Sequence, residues 1–311
     1  MFRNKIFSSL ALVITAAIWG IGLASQSGAM ETLPPMYFMT LRYVIGSAML
    51  ILAIGAVELF RCKKNDGTTA AGASKFRELY LGGMICGFFM AGGEILQQYG
   101  LTRTTAGKAG FLTTLSIIMV PLLGIFFRRK PSAPVWVAAF MALGGSYLLC
   151  APERNGSFNI GDLLVLGCAL FYAMQILAVS RYAPNTDALK LSCVQFVTVM
   201  VIGAVAAVVT GETLSCSGII GGMEHLIFCG VFSSGIACTL QIAAQKRMHP
   251  ATASIILSSE SIFAVVGGAI ILKEVLTKQQ IIGCSLIFIA VILAQLPDFK
   301  RSPLPADVEV K

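Results

Sequence analysis

Charge is what this sequence has least of. Asp, Glu, Lys and Arg make up 12% of its 311 residues, against 56% hydrophobic, and the mean hydropathy is +0.81. Soluble domains carry about a quarter charged residues, so a chain this poor in them cannot face water all round. The few charges are clustered and leave apolar stretches of about 20 residues, the length that crosses a bilayer. The sequence is that of a polytopic membrane protein.

Other absences narrow the chemistry. There are two histidines, His225 and His249, both at span edges, and neither HExxH nor GxSxG occurs, which removes zincin and serine-hydrolase sites. Asp66, Asp162, Asp187 and Asp298 lie in loops or at span ends, so an intramembrane protease built on two aspartates lacks both. No nucleotide-binding loop or metal-ligand cluster is present, and no cofactor is expected. The nine cysteines form no CxxC pair. They read as free thiols packed as small hydrophobes, with no bridge expected between Cys150 and Cys216. The net charge of +8 reflects basic residues at span ends rather than a nucleic-acid footprint. The N-terminal apolar run is longer than the ~7–15 residues of a signal-peptide core and lacks a small-x-small cleavage site, so it reads as a retained first span.

Apolar runs bounded by charge, Pro or Gly/Asn breaks predict ten spans, at 7–26, 35–60, 79–101, 106–127, 134–151, 160–180, 188–210, 222–245, 250–272 and 279–296. Pro121 falls inside the fourth, where neighbours can satisfy the carbonyl it frees. Placing the N-terminus in the cytoplasm puts 17 of the 23 Lys and Arg on the cytoplasmic side and five outside, with Arg42 inside a span. That bias predicts ten helices in the cell membrane with both termini cytoplasmic.

Sliding residues 105–150 onto 250–295, an offset of 145, aligns Ala106 with Ala251, Leu112 with Leu257, Ser116 with Ser261, Val120 with Val265 and Ile125 with Ile270. Thr113-Thr114 falls on Ser258-Ser259. The chain thus reads as two repeats, 1–155 and 156–311. Five helices is an odd number, so the second copy enters the membrane upside down, with Arg128-Arg129-Lys130 inside and Lys273-Glu274 outside. Inverted repeats of this kind place a substrate site near the midplane between the halves.

These residues carry a resemblance. Ala17 to Gly20 (AIWG), Pro35 with Leu41-Arg42-Tyr43, LTRTTAGKAGFL with Pro121, and ASIILSSESIFAVVGG followed by KEVLTKQQIIG up to Gly283 together resemble the EamA branch of the drug/metabolite transporter superfamily, over nearly the whole chain. The resemblance implies an all-α integral membrane fold of ten helices in two inverted five-helix repeats. It further implies a central cavity lined by the first four helices of each repeat, with the fifth and tenth peripheral. Two positions depart from the family pattern: Arg128-Arg129-Lys130 replaces an acidic residue that the second half keeps as Glu274, and Ser261 stands where many relatives have Pro. The activity implied is secondary transport of a small-molecule substrate, most naturally proton-coupled export of amino acids or similar solutes. A channel or lipid-handling scaffold is the competing reading, with an intramembrane enzyme behind it.

The candidate site residues come from helical spacing. In the third span Gly83, Gly87, Met90, Glu94 and Gln97 share a face, and small residues there let helices close; Gln98 lies beside it. A charge at a helix centre costs about 2.5–3.5 kcal/mol on insertion scales, so Glu94 needs a partner. Arg42 lies at a similar depth in the second span. The pair either fixes packing or exchanges partners with a zwitterionic or anionic substrate. Glu260 in the ninth span shares a stripe with Ala253, Ala264 and Gly267 among Ser258, Ser259 and Ser261, and its counterpart in the first repeat is Leu115. It is either satisfied by those serines or free to bind a cationic group or a proton. Glu94 and Glu260 are the proton-coupling candidates. Trp19 with Thr15, Gly22 and Gln26, then Tyr172 with Gln175, then Gln241 with Ser234 and Cys238, and Gln195 alone in the seventh span, complete the expected lining. Lys108 is expected to snorkel to headgroups, and Glu58 to be an interfacial charge near Arg61.

Overall fold

A computed structural model describes residues 2–63, 73–126, 131–149, 159–265 and 277–300, and every regular element among them is helical. Three long helices come first: α1 (Phe2–Ala29), α2 (Pro35–Lys63) and α3 (Ala73–Leu101). The expected fourth span is divided into α4 (Ala106–Thr114) and α5 (Ser116–Phe126), and α6 (Ala133–Leu149) closes the first half. The second half holds α7 (Ile160–Tyr182), α8 (Ala188–Val209) and the short α9 (Cys216–Gly221). One continuous span then contains α10 (Met223–Ile227), a π-helical segment (Phe228–Cys238) and α11 (Thr239–Gln245). After α12 (Pro250–Leu257) the chain turns at Ser258-Ser259 and resumes as helix to Val265, and α13 spans Lys278–Lys300.

Eight of these helices are long and apolar enough to cross a membrane, and two shorter apolar ones, Ala133–Leu149 and Pro250–Val265, lie where the fifth and ninth spans were expected. The ninth was expected to reach residue 272; its end, Gly267, Lys273, Glu274, Arg128, Arg129, Lys130 and Cys150 all lie outside the described residues. Cys216 is an exposed free thiol.

The helix starts follow from capping chemistry. Asn159 and Asp162 form a reciprocal capping box on α7, Asp187 caps α8, and Thr105 caps α4, each satisfying amide donors that a first turn leaves open. Pro35 and Pro250 stand at the first helical position, where proline's missing N–H does no harm. The start of α2 is capped from far away in sequence. Glu212, beyond the end of α8, accepts the amides of Met36 at 3.0 Å and Tyr37 at 3.3 Å, while its other oxygen accepts the Tyr99 hydroxyl at 3.0 Å. Glu212→Ala is therefore expected to lower stability by about 1–2 kcal/mol, and Glu212→Gln by less, because the amide oxygen still accepts. Thermal unfolding of the purified protein checks both.

Packing ties the halves together at both ends. At the end where α1 finishes, Lys108 Nζ approaches Asp162 Oδ2 at 3.7 Å, and Thr104 donates to the same carboxylate. At the other end, Lys190 pairs with Glu58 at 2.7 Å and Arg181 with Glu78 at 3.8 Å, while within the second half Lys246 donates to the Thr186 carbonyl. So Lys108 and Glu58 are each members of an ion pair, the Glu58 pair exposed. Helix α3 packs on α7 and α8, whereas α1 and α2 pack on the π-helical segment; α6 packs on α13. Gly83 and Gly87 make the α3–α8 contact possible: a Cβ on Gly83 would lie 2.5 Å from Val194 Cγ1, and one on Gly87 2.6 Å from Thr198 Cβ. The GxxxG pattern is thus spent inside the chain.

The two broken helices break at corresponding places. Leu115 N–H bonds back to Leu112 O and Ile118 N–H to Leu115 O, three residues each, in place of helical four-residue bonds. In the second half Ser259 N–H bonds to Ile256 O and Ser261 N–H to Ser258 O. At the offset of 145 these breaks align within about two residues. Helix α5 runs through Pro121 without interruption.

Candidate functional site

A cavity of about 990 Å³, its open mouth included, lies between the halves. Its walls come from α1, α2, α3, α4, α5, α7, the π-helical segment, α11 and the broken α12 helix; no described residue of α6, α8 or α13 lines it. Eight of the nine expected residues meet there: Trp19, Arg42, Glu94, Gln97, Tyr172, Gln175, Gln241 and Glu260.

Arg42 enters from α2 and Glu94 from α3, about two turns from their shared end, and Nη2 meets Oε1 at 2.6 Å with both side chains buried. Tyr43 joins the pair, donating to Glu94 Oε1 at 3.1 Å and accepting from Arg42 Nη2 at 3.1 Å. Gln98 Nε2 donates to Glu94 Oε2 at 3.3 Å and to Gln26 Oε1 at 2.7 Å, so the network joins α1, α2 and α3. The guanidinium carbon lies 4.9 Å from the Tyr43 ring centroid and 5.7 Å from that of Phe38, within cation–π range. Arg42 Nε and Nη1 are nonetheless buried with no hydrogen-bond partner. Orphaned donors on a buried cation call for an explanation, because each leaves a desolvation cost unmet.

The far wall carries amides and an acid. Tyr172 donates to Gln97 Oε1 at 3.0 Å, and Gln241 Nε2 to Gln175 Oε1 at 3.3 Å, leaving Gln175 Nε2 and Gln241 Oε1 without partners. Trp19 Nε1 donates to the Ser233 carbonyl at 3.2 Å, which pins the indole. Glu260 follows directly on the break in the α12 helix and is partly buried. The neighbouring serines do not satisfy it. Ser258 Oγ donates to Ile255 O at 2.6 Å and Ser259 Oγ to Ile256 O at 2.7 Å, while Ser261 contacts Thr114 at 3.3 Å. Among the described residues the Glu260 carboxylate has neither ion pair nor hydrogen bond.

Gln195 lies elsewhere. It is fully buried between α8 and α3 and donates to Met90 Sδ at 2.8 Å, outside the cavity wall. On the π-helical segment it is Ser233, not Ser234, that lines the cavity with Cys238 and Gln241. The reason is geometric: a π-helix bonds i to i+5, so Cys238 stands above Ser233, and its Sγ contacts Ser233 O at 3.4 Å. Spacing at 3.6 residues selects Ser234 instead, which is buried and unbonded. Tyr43 was missed as a site residue because adjacent helix positions do not share a face. It reaches Glu94 with Arg42 lying over its ring. Thr113 and Thr114 also line the cavity; their alignment with Ser258-Ser259 was the signal.

The model of the EamA-like transporter family matches residues 6–151 and 159–296. An uncharacterized transporter of Archaeoglobus fulgidus is 27% identical over 94% of this chain and 87% of its own length. The threonine/homoserine exporter RhtA of Salmonella typhimurium is 26% identical over 68% of this chain and 74% of its own. A solved structure, at 17% identity, superposes with a TM-score of 0.74 over 96% of this chain and 99% of that one, which shows a shared fold.

Proposed function

The chain belongs to the EamA-like transporter family, and from that premise we propose that it is a secondary transporter. Its substrates are small organic metabolites, amino acids or similar solutes, moved outward across the cytoplasmic membrane by alternating access. One observation carries the reading. One cavity between the halves is lined by Arg42, two of whose buried nitrogens have no hydrogen-bond partner, and by Glu260, whose carboxylate has no partner among the described residues. A zwitterion has the two charges that such a cavity lacks. The name of RhtA, an exporter of threonine and homoserine, points to the same solute class.

The ten-helix arrangement as two inverted repeats, 1–155 and 156–311, is supported by three features. The family model matches in two stretches, 6–151 and 159–296. The two helix breaks align. The contacts of α3 with α7 and α8 are answered by those of α1 and α2 with the π-helical segment, as exchange of the halves requires. The distribution of Lys and Arg supports both termini in the cytoplasm. The protein acts as a carrier, the activity of the family whose model it matches. Rocking of the halves would expose the cavity to each side in turn.

In proteoliposomes, preloading with unlabelled amino acid is expected to drive saturable uptake of labelled amino acid. Flux that rises linearly with concentration and ignores the preloaded solute would mean a channel and overturn the proposal.

A further inference from the structure

The floor of the cavity, where the two broken helices meet, offers acceptors almost alone. Thr113 Oγ1 donates to Ala109 O at 2.6 Å and Thr114 Oγ1 to Gly110 O at 2.8 Å. Ser254 Oγ donates to Ala251 O at 2.9 Å and Ser258 Oγ to Ile255 O at 2.6 Å. A hydroxyl has one proton and two lone pairs, so each of these oxygens has spent its proton on backbone and keeps only lone pairs. Ser261 lies 3.3 Å from Thr114. The Thr114 proton is already committed, which makes Ser261 the donor in that contact and leaves it acceptor-only as well. All five residues line the cavity beside Glu260.

The charge balance has the same sign. The other acid in the cavity wall, Glu94, is matched by Arg42 at 2.6 Å, whereas Glu260 has no cationic partner among the described residues. Neutral hydroxyls with a single carboxylate balance one positive charge. A divalent ion prefers several carboxylates.

The geometry points to a monocation site at the junction of the two broken helices, built from Glu260 with the hydroxyls of Thr114, Ser258 and Ser261. Hard oxygen ligands suit either a primary ammonium group or a sodium ion, and broken-helix ends are where transporters hold such charges. This deepens the transport reading, on which it rests, by giving the cavity a cation-selective floor beneath the Arg42–Glu94 wall.

The test is ligand-dependent melting of the full chain in detergent, with choline chloride replaced at constant ionic strength by sodium chloride or by methylammonium chloride. Wild type is expected to gain several degrees, saturably, with at least one of the two. Glu260→Gln is expected to abolish the gain. Ser258→Ala is expected to raise the half-saturating concentration by about tenfold, the loss of one polar contact, and it carries the test if Glu260→Gln does not fold. A response to sodium alone assigns the site to a free ion; a response to methylammonium assigns it to a substrate's ammonium head. A wild type that responds to neither, or a Glu260→Gln variant that responds fully, overturns the site. Counterflow that persists without any melting shift would sink the site and leave transport standing, and a shift without counterflow would do the reverse.

Discussion

Arg42→Leu is expected to destabilise the protein by about 3–5 kcal/mol, the cost of leaving one member of a buried ion pair uncompensated. Glu94 would keep the Tyr43 hydroxyl and the Gln98 amide, which holds the loss toward the lower figure. The double change Arg42→Leu with Glu94→Leu should recover most of it, because replacing both charges removes the desolvation cost along with the attraction. Melting of the single and double variants in detergent measures the coupling. Transport separates the two roles that the sequence leaves open for this pair. If it only fixes packing, the stable double variant transports. The unpartnered Arg42 nitrogens lead us to expect a stable double variant with no counterflow.

Gly20→Ala is the second large effect. A Cβ at Gly20 would sit 2.5 Å from the backbone oxygen of Glu260 and 2.8 Å from the backbone nitrogen of Ala264. Neither atom can rotate away, so α1 must move off the broken α12 helix at a cost of about 1–3 kcal/mol, the usual range for overpacking. The displaced backbone is the one that carries Glu260, so counterflow should fall by far more than stability alone explains. Gly22→Ala is the matched control. Its nearest neighbours would lie at 3.7 Å, an ordinary contact, and both melting and transport should be nearly unchanged. Equal behaviour of the two variants would show that the close approach at Gly20 has no functional weight.

Much of this site was legible because intramembrane polarity is expensive. Arg42 and Glu94 stand at matching depths in neighbouring spans, and a charge in an apolar run announces itself. Trp19, Tyr172, Gln175 and Gln241 followed from helical spacing, since their helices stay α-helical where they sit. Spacing failed where the helix changed type. Nothing in FCGVFSSGIAC signals a π-helical turn, and the wrong serine was selected. Gln195 misled for another reason: α8 is packed on both α2 and α3, so a polar residue facing inward need not face the cavity. The helix breaks were hidden too. Pro121 drew attention to a position the helix passes through, while the break itself falls at Leu115, held by back-bonding threonines that composition does not distinguish from ordinary helix residues. Tyr43 shows the remaining limit, because Arg42 lies over its ring although spacing does not put adjacent helix positions on one face.

The most direct measurement compares amino-acid counterflow, in proteoliposomes of equal protein content, for wild type, Gln97→Ala, Tyr172→Phe, Glu260→Gln and Gln195→Ala. Gln97, Tyr172 and Glu260 line the cavity, and Gln195 is buried outside it, bonded to Met90. The account predicts that Gln97→Ala, Tyr172→Phe and Glu260→Gln lose most of their counterflow, while Gln195→Ala, once corrected for folded protein, transports like wild type. Counterflow that survives in the three cavity variants and disappears in Gln195→Ala would place the substrate path elsewhere and contradict it.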